Sequence, residues 1–105
     1  MFTEAYVIHV PDADASTHKT LLSTDTYKFI GVLVKDYDQA LNECLKLVEE
    51  ENVNCIILCA GFSNENVGDI SKAVGDSVAV SVVRGDGPGN KIVSKCIEEA
   101  GWFNS

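Results

Sequence analysis

At 105 residues the chain has room for one hydrophobic core, and about two-thirds of the unfolded surface can be buried at this length without disulfide or metal staples. Eight basic residues stand against 16 acidic ones, a formal charge of -8, so there is no basic stripe to displace counterions from nucleic acid or to hold anionic lipid. A content of 46% hydrophobic and 23% charged residues with two prolines excludes a disordered chain.

No run approaches the ~18 apolar residues that a membrane span requires. The amino-terminal stretch lacks the basic start, apolar stretch and cleavage site of a secretion signal. These features together place the protein in the cytoplasm, with neither a nucleic-acid nor a membrane partner. The four cysteines agree with a reducing compartment. Cys44 and Cys96 fall on apolar faces of predicted helices. Cys55 and Cys59 share one face of one strand but lie roughly 13 Å apart at ~3.3 Å per residue, too far for a disulfide. No Cys-x-x-Cys occurs, so the thiols read as reduced and mostly buried, and no metal site is assigned.

The first apolar run, Glu4 to Val10, predicts a strand that Pro11 ends, because proline lacks the ladder donor. Asp12 or Asp14 then suits the cap of a short helix carrying Ala15, His18, Leu21 and Leu22 at helical spacing. His18 reads as a half-buried packing residue. Ser23 to Thr26 is a polar break. Tyr27 to Val34 predicts a second strand, and Asp36 followed by Gln39 resembles a capping box. The helix it opens presents Tyr37, Ala40, Leu41, Cys44, Leu45 and Val48 on one face. Glu49-Glu50-Glu51 at its end opposes the helix dipole and reads as a solvated, fraying terminus.

Cys55 to Ala60 is apolar on both faces, as a buried parallel strand should be. A helix follows with Val67, Ile70 and Val74 inward and Gly75 as carboxyl cap. Val78 to Val83 predicts a fourth strand. After Arg84 and the glycines at 85, 87 and 89, a last helix carries Ile92, Val93, Cys96, Ile97 and Ala100. Trp102 and Phe103 form an apolar tail that must dock on this subunit or another.

Strands alternating with helices predict an α/β fold spanning 1–105 as one domain, with a four-stranded parallel sheet in the order 2-1-3-4. Helices after strands two and three share one face; the first and last cover the other, in a flavodoxin-like or half-Rossmann layout. Strands two and four are then exposed edges, which favours a homodimer.

Ligands in such sheets bind beyond the carboxyl ends of the strands, where strand order reverses. That rule gathers His9, Asp12, Lys35, Cys59, Gly61, Phe62, Ser63, Arg84 and Asp86 at one edge. Gly61-Phe62-Ser63-Asn64 leads into a helix whose first amides attract an anion, although Ser63 or Asn64 also suits an ordinary cap. Gly85, Gly87 and Gly89 lack the dinucleotide spacing, Pro88 removes an amide and Asp86 repels phosphate, so this segment reads as a flexible turn. Cys59, just before a helix amino terminus, is the candidate nucleophile with His9 as its base, while cysteine also packs as a small hydrophobe. His9, Asp12, Asp14 and Asp86 lack a calcium-loop pattern.

Pro11-Asp12-Ala13-Asp14, Lys35-Asp36-Tyr37, Leu58-Cys59-Ala60-Gly61-Phe62 and Val82-Val83-Arg84 resemble the corresponding stretches of a small family of roughly 100-residue bacterial and archaeal proteins of unknown function. The resemblance spans residues 4 to 85 and leaves the glycine-rich turn as a local feature. It implies a compact α/β fold and directs attention to Cys59, Gly61, Phe62 and Arg84, without implying an activity. The expectation is a module that binds a small anionic metabolite. Gly61 to Asn64 supply amides, Arg84 charge, Phe62 an apolar wall and His9 a polar contact. A small thiol- or histidine-dependent enzyme acting on a carbonyl or thioester substrate is the alternative, as is a protein that works by assembly; no cofactor is named.

Overall fold

Side-chain alternation along β1 (Phe2–His9) sets the plan of the molecule: Thr3, Ala5 and Val7 are buried, whereas Phe2 and Ile8 on the opposite face are exposed. The structure is a computed structural model and describes residues 1–85 and 87–103. Among these residues β1 is joined by β2 (Lys19–Ser23), β3 (Tyr27–Val34), β4 (Cys55–Leu58) and β5 (Ala79–Val82) in one sheet, ordered β2-β3-β1-β4-β5. β3, β1, β4 and β5 run parallel, in the order the sequence predicts, and β2 pairs antiparallel with β3.

The sheet is therefore mixed and five-stranded rather than all-parallel and four-stranded. The predicted first helix is absent, and its leucines lie in β2. Asp14 explains the change. Its carboxylate accepts the Ser16 hydroxyl (2.7 Å) and main-chain N–H (3.0 Å), and its carbonyl accepts the N–H groups of Thr17 (3.0 Å) and His18 (2.8 Å). Those Ser16 hydrogen bonds, side chain first, hold the Asp14 carboxyl below its ordinary pKa. Asp14 thus closes a tight turn instead of capping a helix, and His18 is exposed, with Nδ1 accepting the Asp14 N–H (2.9 Å). The chain that follows satisfies the open hydrogen-bonding edge of β3, a long-range demand that four residues at helical spacing do not reveal. Ser23 to Thr26 is the hairpin turn, tied by Thr24 Oγ1 accepting the N–H of Tyr27 (3.1 Å). β2 and β5 are the edges, so the strand expected at one edge, β3, is interior.

α1 (Tyr37–Glu51) starts at Asp36, whose carboxylate accepts the Gln39 N–H at 2.8 Å. The Gln39 side chain does not return to the cap: its Oε1 accepts the N–H groups of Lys35 (2.9 Å) and Ala15 (3.3 Å), fastening the β1–β2 connection to the helix. Asn52 ends the helix in the left-handed region at φ 54. Glu51 is no frayed end, since it pairs with Lys28 at 2.7 Å; Glu43, buried, pairs with Lys19 at 3.4 Å. α2 (Asn64–Val74) buries Ile70 and Val74 and ends at Gly75, where φ is 90. α1 and α2 pack on the same face of the sheet over Val7, Ile30, Val32, Ile56 and Leu58. Each such buried side chain contributes about 1.5–3 kcal/mol.

The other face departs from the prediction. α3 (Asn90–Glu99) has no buried residue, so it does not cover the sheet as expected. Phe2, Tyr6, Tyr27, Phe29, Leu33 and Ile57 alternate out of phase with the core residues and form an open face. Cys96, expected on a packed helix face, is exposed; Cys44 and Cys55 are buried and Cys59 is half-buried.

Candidate functional site

β1 and β4 are neighbours in the sheet, yet the crossovers that leave them go to opposite sides, which opens a crevice at their carboxyl ends. There a cavity of about 770 Å³ lies between the strand ends, the residues Arg84, Gly85, Gly87 and Gly89, α3 and the chain after it. Its floor includes Ile8, His9, Cys59 and Gly61. Val83 and Arg84 enter from the end of β5, and Val93, Ser94, Ile97 and Trp102 form the far wall.

Of the residues singled out in the sequence, His9, Cys59, Gly61 and Arg84 meet at this cavity. His9 closes β1. Its Nε2 lies 3.0 Å from the Lys35 carbonyl oxygen, which only accepts, so this nitrogen carries the proton and a neutral ring keeps the Nδ1 lone pair. Cys59 follows β4, and its Sγ accepts the His9 main-chain N–H at 3.3 Å. Gly61 sits between them: a Cβ there would stand 3.5 Å from Sγ and 3.6 Å from His9 Nδ1. Thiol and imidazole thus flank one glycine without the imidazole serving as hydrogen-bond partner of the thiol.

Phe62 turns away from the cavity. It is buried in the core, and with His9, Tyr37 and Asn66 it lines a second pocket of about 220 Å³ on the helix-covered side. Its ring centroid lies 6.2 Å from that of His9. Ser63 and Asn64 line neither cavity. Ser63 is a cap: its Oγ accepts the Asn66 N–H (3.1 Å), and Asn66 Oδ1 accepts the Ser63 N–H (3.2 Å). Reciprocal bonds of this kind satisfy two of the helix's orphan donors. Asp86 lies outside the described residues, as do residues 104–105 of the tail. Among the described residues no group of three His, Cys, Asp or Glu side chains is arranged to hold a metal ion, and no helix is long and apolar enough to cross a membrane.

The glycine-rich segment is more than a spacer at one position. A Cβ on Gly85 would stand 2.8 Å from the Ala60 Cβ, so this residue must be glycine for the loop to lie against the β4–α2 turn. Gly87 and Gly89 face open space. Sequence reasoning missed the far wall, because Val93, Ile97 and Trp102 look like ordinary packing residues. The amphipathic spacing of α3 was the available signal.

The fold and cavity together define a mixed α/β domain with a recess at its topological switch point. The chain belongs to a family of unknown function (DUF6506), which matches residues 2–96 of the 105. That match runs through the glycine-rich segment, which the sequence resemblance left aside, and stops inside α3. No curated protein and no solved structure matches the chain.

Proposed function

We propose that this protein binds a small molecule with an apolar body and one anionic group in the cavity at the carboxyl ends of β1 and β4. The observation that carries this reading is the cavity itself. At about 770 Å³ it falls within the ~300–1,000 Å³ of small-molecule sites, which combine apolar walls with a few placed polar groups. Ile8, Val93, Ile97 and Trp102 suit the body of such a ligand. Arg84 suits its carboxylate or phosphate, because a guanidinium offers paired donors to two oxygens. His9 adds a ring fixed in one tautomer, and Gly61 leaves backbone accessible beside it. The ligand class is narrower than the sequence suggests: Ser63 and Asn64 supply no amides to this cavity, so most of its surface is apolar.

The thiol-enzyme reading has less support. A general base must lie within hydrogen-bond reach of the proton it takes, directly or through water. Here the hydrogen bonds of the His9 ring and of Cys59 Sγ run to the Lys35 carbonyl and to the His9 main-chain N–H, not to each other.

A thermal-shift screen against inorganic phosphate, nucleotides, medium-chain fatty acids and their coenzyme A esters tests the proposal. A ligand at a hundred times its Kd adds about 2.7 kcal/mol, and each kcal/mol moves the Tm of a domain this small by roughly 4–8 °C. The expected result is a shift with the carboxylate or thioester amphiphiles that is lost in Arg84→Ala and in Val93→Trp, which fills the cavity from an exposed helix position. No shift across the panel, or a shift that both variants retain, overturns the reading.

A further inference from the structure

We infer that the open face of the sheet is the seat of a second copy of this chain, forming a two-fold dimer by sheet-on-sheet packing. The inference is independent of the ligand proposal. Its starting point is composition. The strand positions on this face are Phe2, Glu4, Tyr6 and Ile8 of β1, Tyr27, Phe29, Gly31 and Leu33 of β3, and their neighbours on β2, β4 and β5. Glu4 is the one charged side chain among those strand positions, in a chain of net charge -8, and its carboxylate already accepts the Tyr27 hydroxyl at 2.8 Å. The other charged residues among those described stand on the opposite face, in the loops or on the helices.

The aromatic side chains are ordered against each other in advance of any partner. Tyr6 and Phe29 pack as tilted rings with centroids 5.4 Å apart, and Phe2 and Tyr27 at 5.7 Å. The Phe29 ring lies across Gly31, where a Cβ would meet it at 3.2 Å, so glycine lets this ring lie flat. Meanwhile Phe2 is 47% exposed and Leu22 67%. Contiguous apolar surface of this extent marks a contact site rather than ordinary solvent-facing structure.

The dimensions choose the occupant. At about 3.3 Å per residue and 4.8 Å between strands, the strand residues span roughly 450 Å² in projection. Side-chain relief raises the accessible area above that figure, close to the ~800 Å² per partner of a standard stable interface. Two faces of the same apolar character, each with its one carboxylate already hydrogen-bonded within its own sheet, are self-complementary, as an isologous contact requires. They pack about 10 Å apart in an aligned sandwich. An anionic membrane is the wrong partner for a chain of this charge. Ile8 and Val83 belong both to this side of the sheet and to the cavity lining, so the second copy walls the cavity from below.

Sedimentation velocity from micromolar to sub-millimolar concentration tests this directly. The wild-type chain should sediment as a dimer. Phe29→Glu and Tyr6→Lys should sediment as monomers with unchanged far-UV circular dichroism. If Phe29→Glu loses cooperative unfolding, Leu22→Glu challenges the same face at a position already solvent-exposed, and should also give monomers. A wild-type chain that stays monomeric throughout, or a dimer that survives the face substitutions, overturns the inference.

Discussion

The two faces of this sheet come from the same strands by the same alternation, yet one is sealed and the other is left bare. Val7, Val32, Ile56 and Leu58 point into a layer closed by α1 and α2 and have no solvent exposure. One residue along each strand, Tyr6, Leu33 and Ile57 are apolar too, but α3 stands beyond the strand ends and leaves them partly in water. Hydrophobicity decides that a face wants cover. Whether the cover comes from the same chain depends on where the connections lead.

The sharpest test of the contrast is truncation at adjacent residues of β4. Ile56→Ala, on the sealed face, should cost about 2–5 kcal/mol through lost transfer energy and a residual cavity. Ile57→Ala, on the open face, should cost under about 1 kcal/mol in a monomer, where the site can relax into solvent. Urea denaturation reads both. Equal costs would mean that the open face is not open. A cost at Ile57 that grows with protein concentration would sharpen the dimer inference, because stability then includes association.

Thiol chemistry divides the molecule by burial and not by face, since Cys55 shares the open face with Glu4 and is buried all the same. Burial pushes the Cys44 thiol under α1 up to about 12, and burial with the Glu4 carboxylate raises that of Cys55. Alkylation at neutral pH followed by mass spectrometry should modify Cys96 first, because it is exposed on α3, then the half-buried Cys59. Cys55 and Cys44 should react only as the chain unfolds. Cys44 reacting with Cys96 would contradict the sealed core.

The smallest expected effect belongs to the open face. The hydrogen bond to Glu4, then desolvation, raises the Tyr27 hydroxyl to about 12 from its ordinary 10. The folded state therefore holds this proton more tightly than the unfolded chain. The stability this contributes is full below pH ~10 and is lost as pH rises towards 12. Tyr27→Phe should flatten the part of the stability–pH curve between those values that Tyr27 supplies, which titration of the Tm would show. An unchanged slope would remove the Tyr27–Glu4 bond from the account.

Elements governed by local rules were legible in the sequence. β3 occupies Tyr27–Val34 as predicted, Asp36 caps α1, and Gly75 ends α2. The meeting of His9, Cys59, Gly61 and Arg84 was legible as well, because strand ends in a parallel sheet must converge. β2 was not, for its leucines satisfy helical spacing until the unpaired edge of β3 is known. Phe62 was assigned to the ligand and belongs to the core, since strand alternation stops at Leu58 and no longer predicts direction.

By itself, then, the sequence determined the parallel strands, the caps, the two core-facing helices and the edge at which chemistry-bearing residues gather, with the strand order as its simplest arrangement. These follow from alternation, helical periodicity and the handedness of crossovers, all local or topological constraints. Only the tertiary structure decided that an antiparallel strand completes the sheet, that α3 walls a cavity instead of a core, and that one aromatic face stays uncovered. Those outcomes depend on which distant surface reaches a given apolar stripe first, and an amphipathic pattern records the need for a partner without naming it.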